Sequence, residues 1–244
     1  MLRAIAWVAA LVLALGGCAA RLPAYPASMS DDEALRVVAE RLGSVRTFAG
    51  TAGLTLASSG GEVIRLEGAL VAEPPHRARL RAWKFGAAVL DLTVLPEGVW
   101  LFVAEEDDPP AQEGAVQGLK RSAAGIGGAL ALLSGDYYRA ARPVPAESSA
   151  STLVVTAPAL GQPAVRCEIE RATLVPRRFR VPGEGSWGEL RLDGHRMIGD
   201  VPWPGVITFR GPEGEVTVTL GSPELNGEIA PGAFNPPARA QRLP

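Results

Sequence analysis

The sequence predicts a mainly β protein built on an antiparallel sheet, with one helix before the strands and one between them. Apolar and polar residues alternate in about ten short segments separated by turn residues, which is the pattern of half-buried antiparallel strands. Only two segments carry apolar residues at helical spacing, and they do not alternate with the strands as the helices of a parallel sheet would. A sheet of this many strands tends to curl, so we expect the helices to cover its open mouth or its concave face.

The chain begins with the features of a bacterial lipoprotein signal. Arg3 precedes an apolar run from Ala4 to Leu15, and small residues lead to Cys18. The run is shorter than the roughly 20 apolar residues that span a bilayer, which disfavours a permanent transmembrane anchor. We expect acylation of Cys18 to attach the body to a membrane of the bacterial envelope. Because Ala19 rather than an aspartate follows Cys18, the expected location is the outer membrane, facing the periplasm.

The domain organisation follows from where apolar periodicity begins and ends. Residues 1–17 form the predicted signal peptide. Residues 18–29 contain the acylated cysteine and prolines without periodicity, which predicts a flexible tether. Residues 30–226 form one folded domain, and residues 227–244 form an irregular C-terminal tail.

A helix leads the folded domain and strands follow it. Ser30 and Glu33 form a capping box, and apolar residues then recur on one helical face up to Val45. After Phe48 the apolar period changes to two, which predicts antiparallel strands up to Val103.

A helical pattern interrupts the strands in the middle of the chain. Apolar residues recur at helical spacing from Val116 to Leu133, and each glycine within this segment lowers helix stability by about 1 kcal/mol. We therefore expect a loosely held helical lid. The Pro- and Ser-rich residues 143–151 are a predicted loop, after which strands resume at Thr152 and continue to Leu220.

The sequence contains no pattern typical of a catalytic or metal site. His76 and His195 both follow turn residues, so we expect solvated side chains, and neither has a metal-ligand spacing. Residues 183–188 match GxGxxG, but a strand pattern follows where a dinucleotide site requires a helix. The acidic run 105–108 lacks the ligand spacing of a calcium loop. We expect no enzyme activity, no metal and no cofactor.

Charge and cysteine content limit the partners further. The chain has 24 Lys and Arg against 26 Asp and Glu, a formal net charge of −2, which predicts no nucleic-acid partner. If Cys18 is acylated, Cys167 has no second cysteine with which to form a disulfide. Cys167 lies in an alternating strand segment, so we expect a buried core thiol.

The order of these features resembles a known family. Residues 75–92 contain a strand, an apolar residue followed by glycine in a turn, and a second strand. Residues 132–135 resemble the end of a lid helix, and residues 204–209 resemble the entry to a late strand. With the acylated cysteine and the two helices, the layout from about Val45 to Asn226 is similar to the LolA/LolB-like superfamily of bacterial envelope lipoprotein-sorting proteins, and nearest to its outer-membrane receptors.

The resemblance implies a curled, unclosed antiparallel β-barrel around an apolar cavity, with the helices as a lid and lipid acyl chains as the ligand. The residues that would line the cavity are Leu54, Leu56, Ile64, Leu66, Leu80, Leu90, Leu92, Leu101, Ile126 and Leu130. If these residues line a cavity, the resemblance implies transfer of lipoprotein or lipid cargo to the outer membrane, with a periplasmic carrier as a possible partner. The same residues could instead form a packed core, and the protein would then be a structural or scaffold lipoprotein without a ligand.

The resemblance also implies a membrane contact at the turn within residues 75–92. The apolar residue before the turn glycine is Phe85, which precedes Gly86. Trp83 and Lys84 suit a membrane interface, because tryptophan has an amphipathic ring and lysine can extend its charge away from apolar surroundings. The alternative is that Phe85 is a core residue at a strand bulge.

Overall fold

The computed structural model describes residues 21–104, 132–159, 162–180, 188–211 and 214–243. Several predicted features lie outside the described residues: the signal peptide with Cys18, the lid segment with Ile126 and Leu130, the acidic run 105–108 and nearly all of the GxGxxG segment.

Helix α1 (Asp31–Gly43) begins where the capping box predicts. The Ser30 hydroxyl accepts a hydrogen bond from the backbone N–H of Glu33 at 3.3 Å. Acidic residues in the first turn and Arg41 in the last turn complement the helix dipole. The buried face of α1 consists of Ala34, Leu35, Val38, Ala39 and Leu42.

The strands of the described residues are numbered in chain order. They are β1 (Phe48–Ser58), β2 (Val63–Glu73), β3 (Arg77–Lys84), β4 (Ala87–Leu95), β5 (Gly98–Val103), β6 (Arg142–Pro143), β7 (Thr152–Ala159), β8 (Gln162–Glu170), β9 (Val175–Arg180), β10 (Glu189–Asp193), β11 (Arg196–Ile198), β12 (Val201–Trp203), β13 (Val206–Gly211), β14 (Gly214–Leu220), β15 (Glu224–Leu225) and β16 (Gln241–Arg242). A short helix, α2 (Gly135–Ala140), precedes β6.

Most strands belong to one antiparallel sheet that is not closed into a barrel. Its order is β16-β5-β4-β3-β2-β1-β14-β13-β10-β9-β8-β7-β6, with β15 added to the start of β1. The prediction of a mainly β, unclosed antiparallel structure is confirmed. The strands that the sequence did not predict, β6, β11, β12, β15 and β16, have two or three residues each, which is too short for alternation to be visible.

Helix α2 packs tightly against α1 through two glycines. Gly135 of α2 lies so close to α1 that an added Cβ would contact the carbonyl oxygen of Ala39 and lie 2.7 Å from Cα of Gly43. The Tyr137 hydroxyl donates to the carbonyl of Val165 at 2.9 Å, which ties α2 to β8. The sequence did not predict α2, because six residues are too few to show a helical period.

A two-stranded hairpin of β11 and β12 also joins the core. The Trp203 ring stacks on Phe48 with 5.3 Å between the ring centroids. Both side chains belong to the same apolar cluster as the buried face of α1. The hairpin therefore covers the part of the sheet where β1 begins.

The segment before α1 differs from the flexible tether that the sequence predicted. The backbone N–H of Tyr25 donates to the carbonyl of Ala172 at 2.9 Å. The Arg41 guanidinium lies 5.5 Å from the Tyr25 ring centroid. Tyr25 and Met29 are partly buried against the core, so tertiary packing of two large side chains holds a segment whose composition alone predicts flexibility.

The C-terminal tail lies against the sheet. Arg79 donates to the carbonyl of Ala233 at 3.0 Å, and Phe234 is buried beside Arg77. The tail ends with β16 paired to β5. We refer to residues 227–243 as the strap.

No helix among the described residues is long and apolar enough to cross a membrane.

The close contact of Gly135 with α1 predicts that a larger residue at this position lowers the stability of the protein. We expect Gly135→Ala to lower the free energy of unfolding by about 1–3 kcal/mol, because the new methyl group would overlap the backbone of α1. Urea denaturation measures this change. Gly60→Ala is the matched control, since its added Cβ meets only the Ser58 hydroxyl, at 3.6 Å, and should change stability by less than about 0.5 kcal/mol. Equal stability of the two variants would contradict the tight helix contact.

Candidate functional site

The predicted cavity residues that the structure describes lie together on one face of β1–β5. Cross-strand pairing places Leu54 beside Leu66, and Leu92 between Leu80 and Leu101. All of them except Ile64 are buried, and Ile64 is half-buried against the same cluster. The set comprises Leu54, Leu56, Ile64, Leu66, Leu80, Leu90, Leu92 and Leu101.

Small side chains separate these leucines into rows. Ala52, Gly68 and Ala82 are direct neighbours across β1, β2 and β3. Their pairing register places them on the same face as the leucines. The concave face therefore has a row of small residues between larger side chains, and we refer to this row as the trough.

The concave face is covered in this structure. Leu54 and Leu92 are each only 1% exposed. At the other half of the sheet, the Tyr137 ring packs edge-on against Phe179 at 5.8 Å, so α2 is held over β9. An acyl chain could reach the leucines only if part of the cover over β1–β5 moved.

Cys167 belongs to the packed half of the sheet. Its side chain is fully buried, 4.0 Å from the Tyr138 hydroxyl, and the prediction of a buried core thiol is confirmed. Burial raises the pKa of the Cys167 thiol well above its usual value, so the reactive thiolate is disfavoured.

Phe85 occupies the exposed tip of the β3–β4 hairpin. Its side chain is 99% exposed, and its backbone φ is +51°, followed by +82° at Gly86. Lys84 pairs with Ala87, so these two residues form the whole turn. The alternative prediction of a core residue at a bulge is wrong, because the bulge lies earlier, between Ala82 and Trp83.

The backbone at Phe85 is unfavourable for an aromatic residue. Two-residue hairpin turns with positive φ at both positions favour Asn-Gly, since asparagine tolerates this conformation. A bulky side chain in this conformation lowers the stability of the fold by about 1 kcal/mol or more. Because the Phe85 side chain is fully exposed, apolar burial does not offset this cost. Phe85 is therefore both strained and fully exposed.

Trp83 lies on the convex face near this tip. Trp83 pairs with Glu67 of β2, and the Arg81 guanidinium lies 5.7 Å from the Trp83 ring centroid. Val63, 48% exposed, follows the β1–β2 turn. Alternate turns of an antiparallel meander lie at the same end of a sheet, so Val63 and Phe85 project from the same end.

His195 is not the solvated residue that its turn context predicted. It is half-buried, and its Nδ1 lies 3.2 Å from Nη1 of Arg177. Because arginine only donates, Nδ1 accepts and the proton sits on Nε2, which is buried without a partner among the described residues. The sequence could not indicate this packing, because Arg177 is distant along the chain. His76 is exposed, as predicted.

Arg177 also lines a cleft that is separate from the leucine-lined face. It pairs with Glu170 at 2.8 Å, and both line an open cleft of about 500 Å³ beside Tyr25. None of the predicted cavity residues lines this cleft. Across the part of the chain that the structure describes, no three His, Cys, Asp or Glu side chains are placed to hold a metal ion.

His195 predicts a pH dependence of stability. Burial first, and then the Arg177 charge, lower the pKa of His195 from 6.5 to about 4. The unfolded chain therefore binds a proton at a higher pH than the folded chain does. Stability should fall as the pH drops from about 6.5 towards 4, by at most about 1.4 kcal/mol per pH unit.

Denaturation at pH 7, 6 and 5 measures this slope. His195→Gln should flatten it, whereas the exposed His76→Gln should leave it unchanged. If the pH dependence of stability is unchanged in His195→Gln, a group other than His195 causes it.

Comparison with solved structures identifies the fold of this chain, whereas comparison of its sequence with known proteins gives no match. Neither a protein-family model nor a curated protein matches the sequence. A LolA superfamily protein of Nitrosomonas europaea is similar in structure, with a TM-score of 0.57 at 11% identity over 83% of this chain and 97% of that one.

Two further solved structures agree with this result. One is described as an outer-membrane lipoprotein-sorting protein domain of Vibrio parahaemolyticus, with a TM-score of 0.55 at 10% identity over 82% of this chain and 95% of that one. The other is a DUF1329 family protein of Desulfovibrio piger, with a TM-score of 0.56 at 8% identity over 82% and 94%. The chain therefore has the fold of LolA superfamily proteins.

Proposed function

We propose that this protein is a lipid-anchored envelope protein that binds acyl chains reversibly on its concave face and transfers lipoprotein or lipid cargo to the outer membrane. The observation that carries the proposal is a property of one hairpin. The β3–β4 hairpin contributes buried leucines to the concave face, and it exposes Phe85 at its tip. A single element thus links the binding face to a group suited to a membrane surface.

Transfer of this kind needs no bond to be made or broken. Each buried methylene of an acyl chain contributes about 0.8 kcal/mol, and a bilayer interior offers the same apolar burial. The cargo therefore moves to whichever apolar environment is more accessible. An exposed aromatic side chain that enters the headgroup region would bring the two environments together.

The proposed anchor serves the same step. An acylated Cys18 would hold the body beside the receiving membrane, and a periplasmic carrier would deliver the cargo to it. The similarity to a Vibrio parahaemolyticus structure described as an outer-membrane lipoprotein-sorting protein domain supports this setting.

A second candidate function has its own supporting observation. The concave leucines are already buried, as they would be in a scaffold lipoprotein with a filled core. Such a protein would act through surface contacts and would bind no lipid. Ligand binding separates the two candidates.

The first prediction of the proposed function concerns bound lipid. We expect the body from Ala20 onward to retain acyl lipid that mass spectrometry detects, and to bind an environment-sensitive apolar dye that fatty acid displaces. Ala52→Met should weaken dye binding, because its longer side chain would extend into the trough. Absence of both lipid and displaceable dye would favour the scaffold.

The second prediction separates membrane contact from folding. Phe85→Asn should raise the melting temperature, because asparagine tolerates the positive φ at this position. The same variant should slow transfer of a fluorescent fatty acid from the body to vesicles by about tenfold or more, since burying a phenylalanine contributes about 1.5–3 kcal/mol.

Phe85→Leu is the control, since it keeps an apolar side chain and should transfer at nearly the original rate. A gain in stability with a loss of transfer cannot result from misfolding. Transfer by Phe85→Asn at the original rate would refute the membrane role.

A further inference from the structure

The strap ends as a strand on the free edge of the sheet. Gln241 and Arg242 pair with Leu101 and Trp100 of β5, and the backbone N–H of Leu243 donates to the carbonyl of Val99 at 2.8 Å. Among the described residues, this is the partner that β5 has on the side away from β4.

Contacts on the convex face fix the strap in place. Arg79 donates to both carboxylate oxygens of Asp91, at 2.9 and 2.7 Å, and its third contact is the Ala233 carbonyl of the strap. Asp91 is 1% exposed. A carboxylate on an outward-facing position of a sheet would normally be solvated, so its burial depends on the cover above it.

The last residues of the strap are held by Arg242. Its guanidinium donates to the carbonyl of Glu97 and lies 5.7 Å from the ring centroid of Trp100. A Cβ at Gly98 would lie 2.7 Å from Nε of Arg242, so the absence of a side chain at Gly98 makes room for the guanidinium. The last described residues of the strap are therefore held against β5 by specific contacts.

The strand beneath the strap is prone to self-pairing. β5 reads Gly-Val-Trp-Leu-Phe-Val, with no charge and no proline. Uncharged edge strands rich in β-branched and aromatic residues pair readily with other chains, and native proteins block them with charges, prolines or covering segments.

The pairing geometry shows which backbone groups of β5 face outward. Ala104 donates to Val89 of β4 at 2.9 Å, so the even-numbered residues hydrogen-bond to β4. The outward groups then belong to Val99, Leu101 and Val103. An antiparallel pair of two β5 strands centred on Leu101 would set Val99 opposite Val103 and satisfy all of these groups.

We propose that the strap is a built-in edge cap and that the site it occupies would otherwise bind β5 of a second copy of this chain. The proposal is independent of lipid binding, because it involves the sheet edge and the convex face. In this structure the edge of β5 is occupied by β16 of the same chain, which is itself an antiparallel strand. Because β5 is apolar and uncharged and its outward groups are complementary to those of another β5, we identify a second copy of this chain as the partner that would replace β16.

The test compares the mass in solution of three forms of the body from Ala20 onward. The full chain should be a monomer by size-exclusion chromatography with light scattering. Removal of residues 238–244 keeps Ala233 and Phe234 but removes β16, and should double the mass. Adding Val103→Pro to this deletion should restore the monomer, because it removes an outward N–H while leaving the hydrogen bonds to β4.

A folded deletion variant that stays monomeric, or a dimer that persists with Val103→Pro, would overturn the proposal. Circular dichroism reports whether the deletion variant is folded. If the deletion variant is unfolded, Gln241→Pro in the full chain tests the proposal instead. This substitution removes the N–H of residue 241 that faces Leu101 and leaves the other contacts of the strap. That variant should dimerise as its concentration rises, and a monomer at every concentration would contradict the edge-cap role.

Discussion

The constraint on which the structure depends is that an open antiparallel sheet must cover its apolar concave face. A closed barrel would hide both its edges and its interior, but this sheet ends at β6 on one side and at β16 on the other. Burial therefore comes from elements laid over the sheet: the apolar face of α1, the two tyrosines of α2, and Trp203 from the β11–β12 hairpin. The cover is therefore divided among several separate segments of the chain.

Alternation and capping were sufficient to predict the long elements. Ser30 begins a helix in the structure because the cap is a local interaction, and Leu54 and Leu92 lie on the buried face because strand geometry has a fixed period. Features that depend on distant residues were not predictable. The burial of His195 requires Arg177 nearby in space, and β16 has two residues whose pairing is determined by β5. The strap consists largely of proline, glycine and small residues, which suggest disorder until their contacts with the sheet are known.

Phe85 lies in a turn whose backbone conformation does not favour phenylalanine. Every other long apolar side chain of the β3–β4 hairpin contributes to a face of the sheet, but Phe85 lies in a turn that disfavours it and gains no burial. Selection for stability alone would favour asparagine there. Residues held in strained backbone conformations cluster at active sites, ligand contacts and switch regions.

The strap covers apolar surface of the open sheet, whereas Phe85 leaves apolar surface exposed. At β5 the strap covers an uncharged edge, held by Arg242 and by the pair of Arg79 and Asp91. At the Phe85 turn the chain leaves apolar surface uncovered. The β3 strand connects the two, since Arg79 is fixed beneath the strap and Arg81 lies between Asp91, at 3.6 Å, and the ring of Trp83. Holding one end of this hairpin rigid limits the positions that its exposed tip can take. In the proposed membrane contact this rigidity would favour binding, because less conformational entropy would be lost on contact.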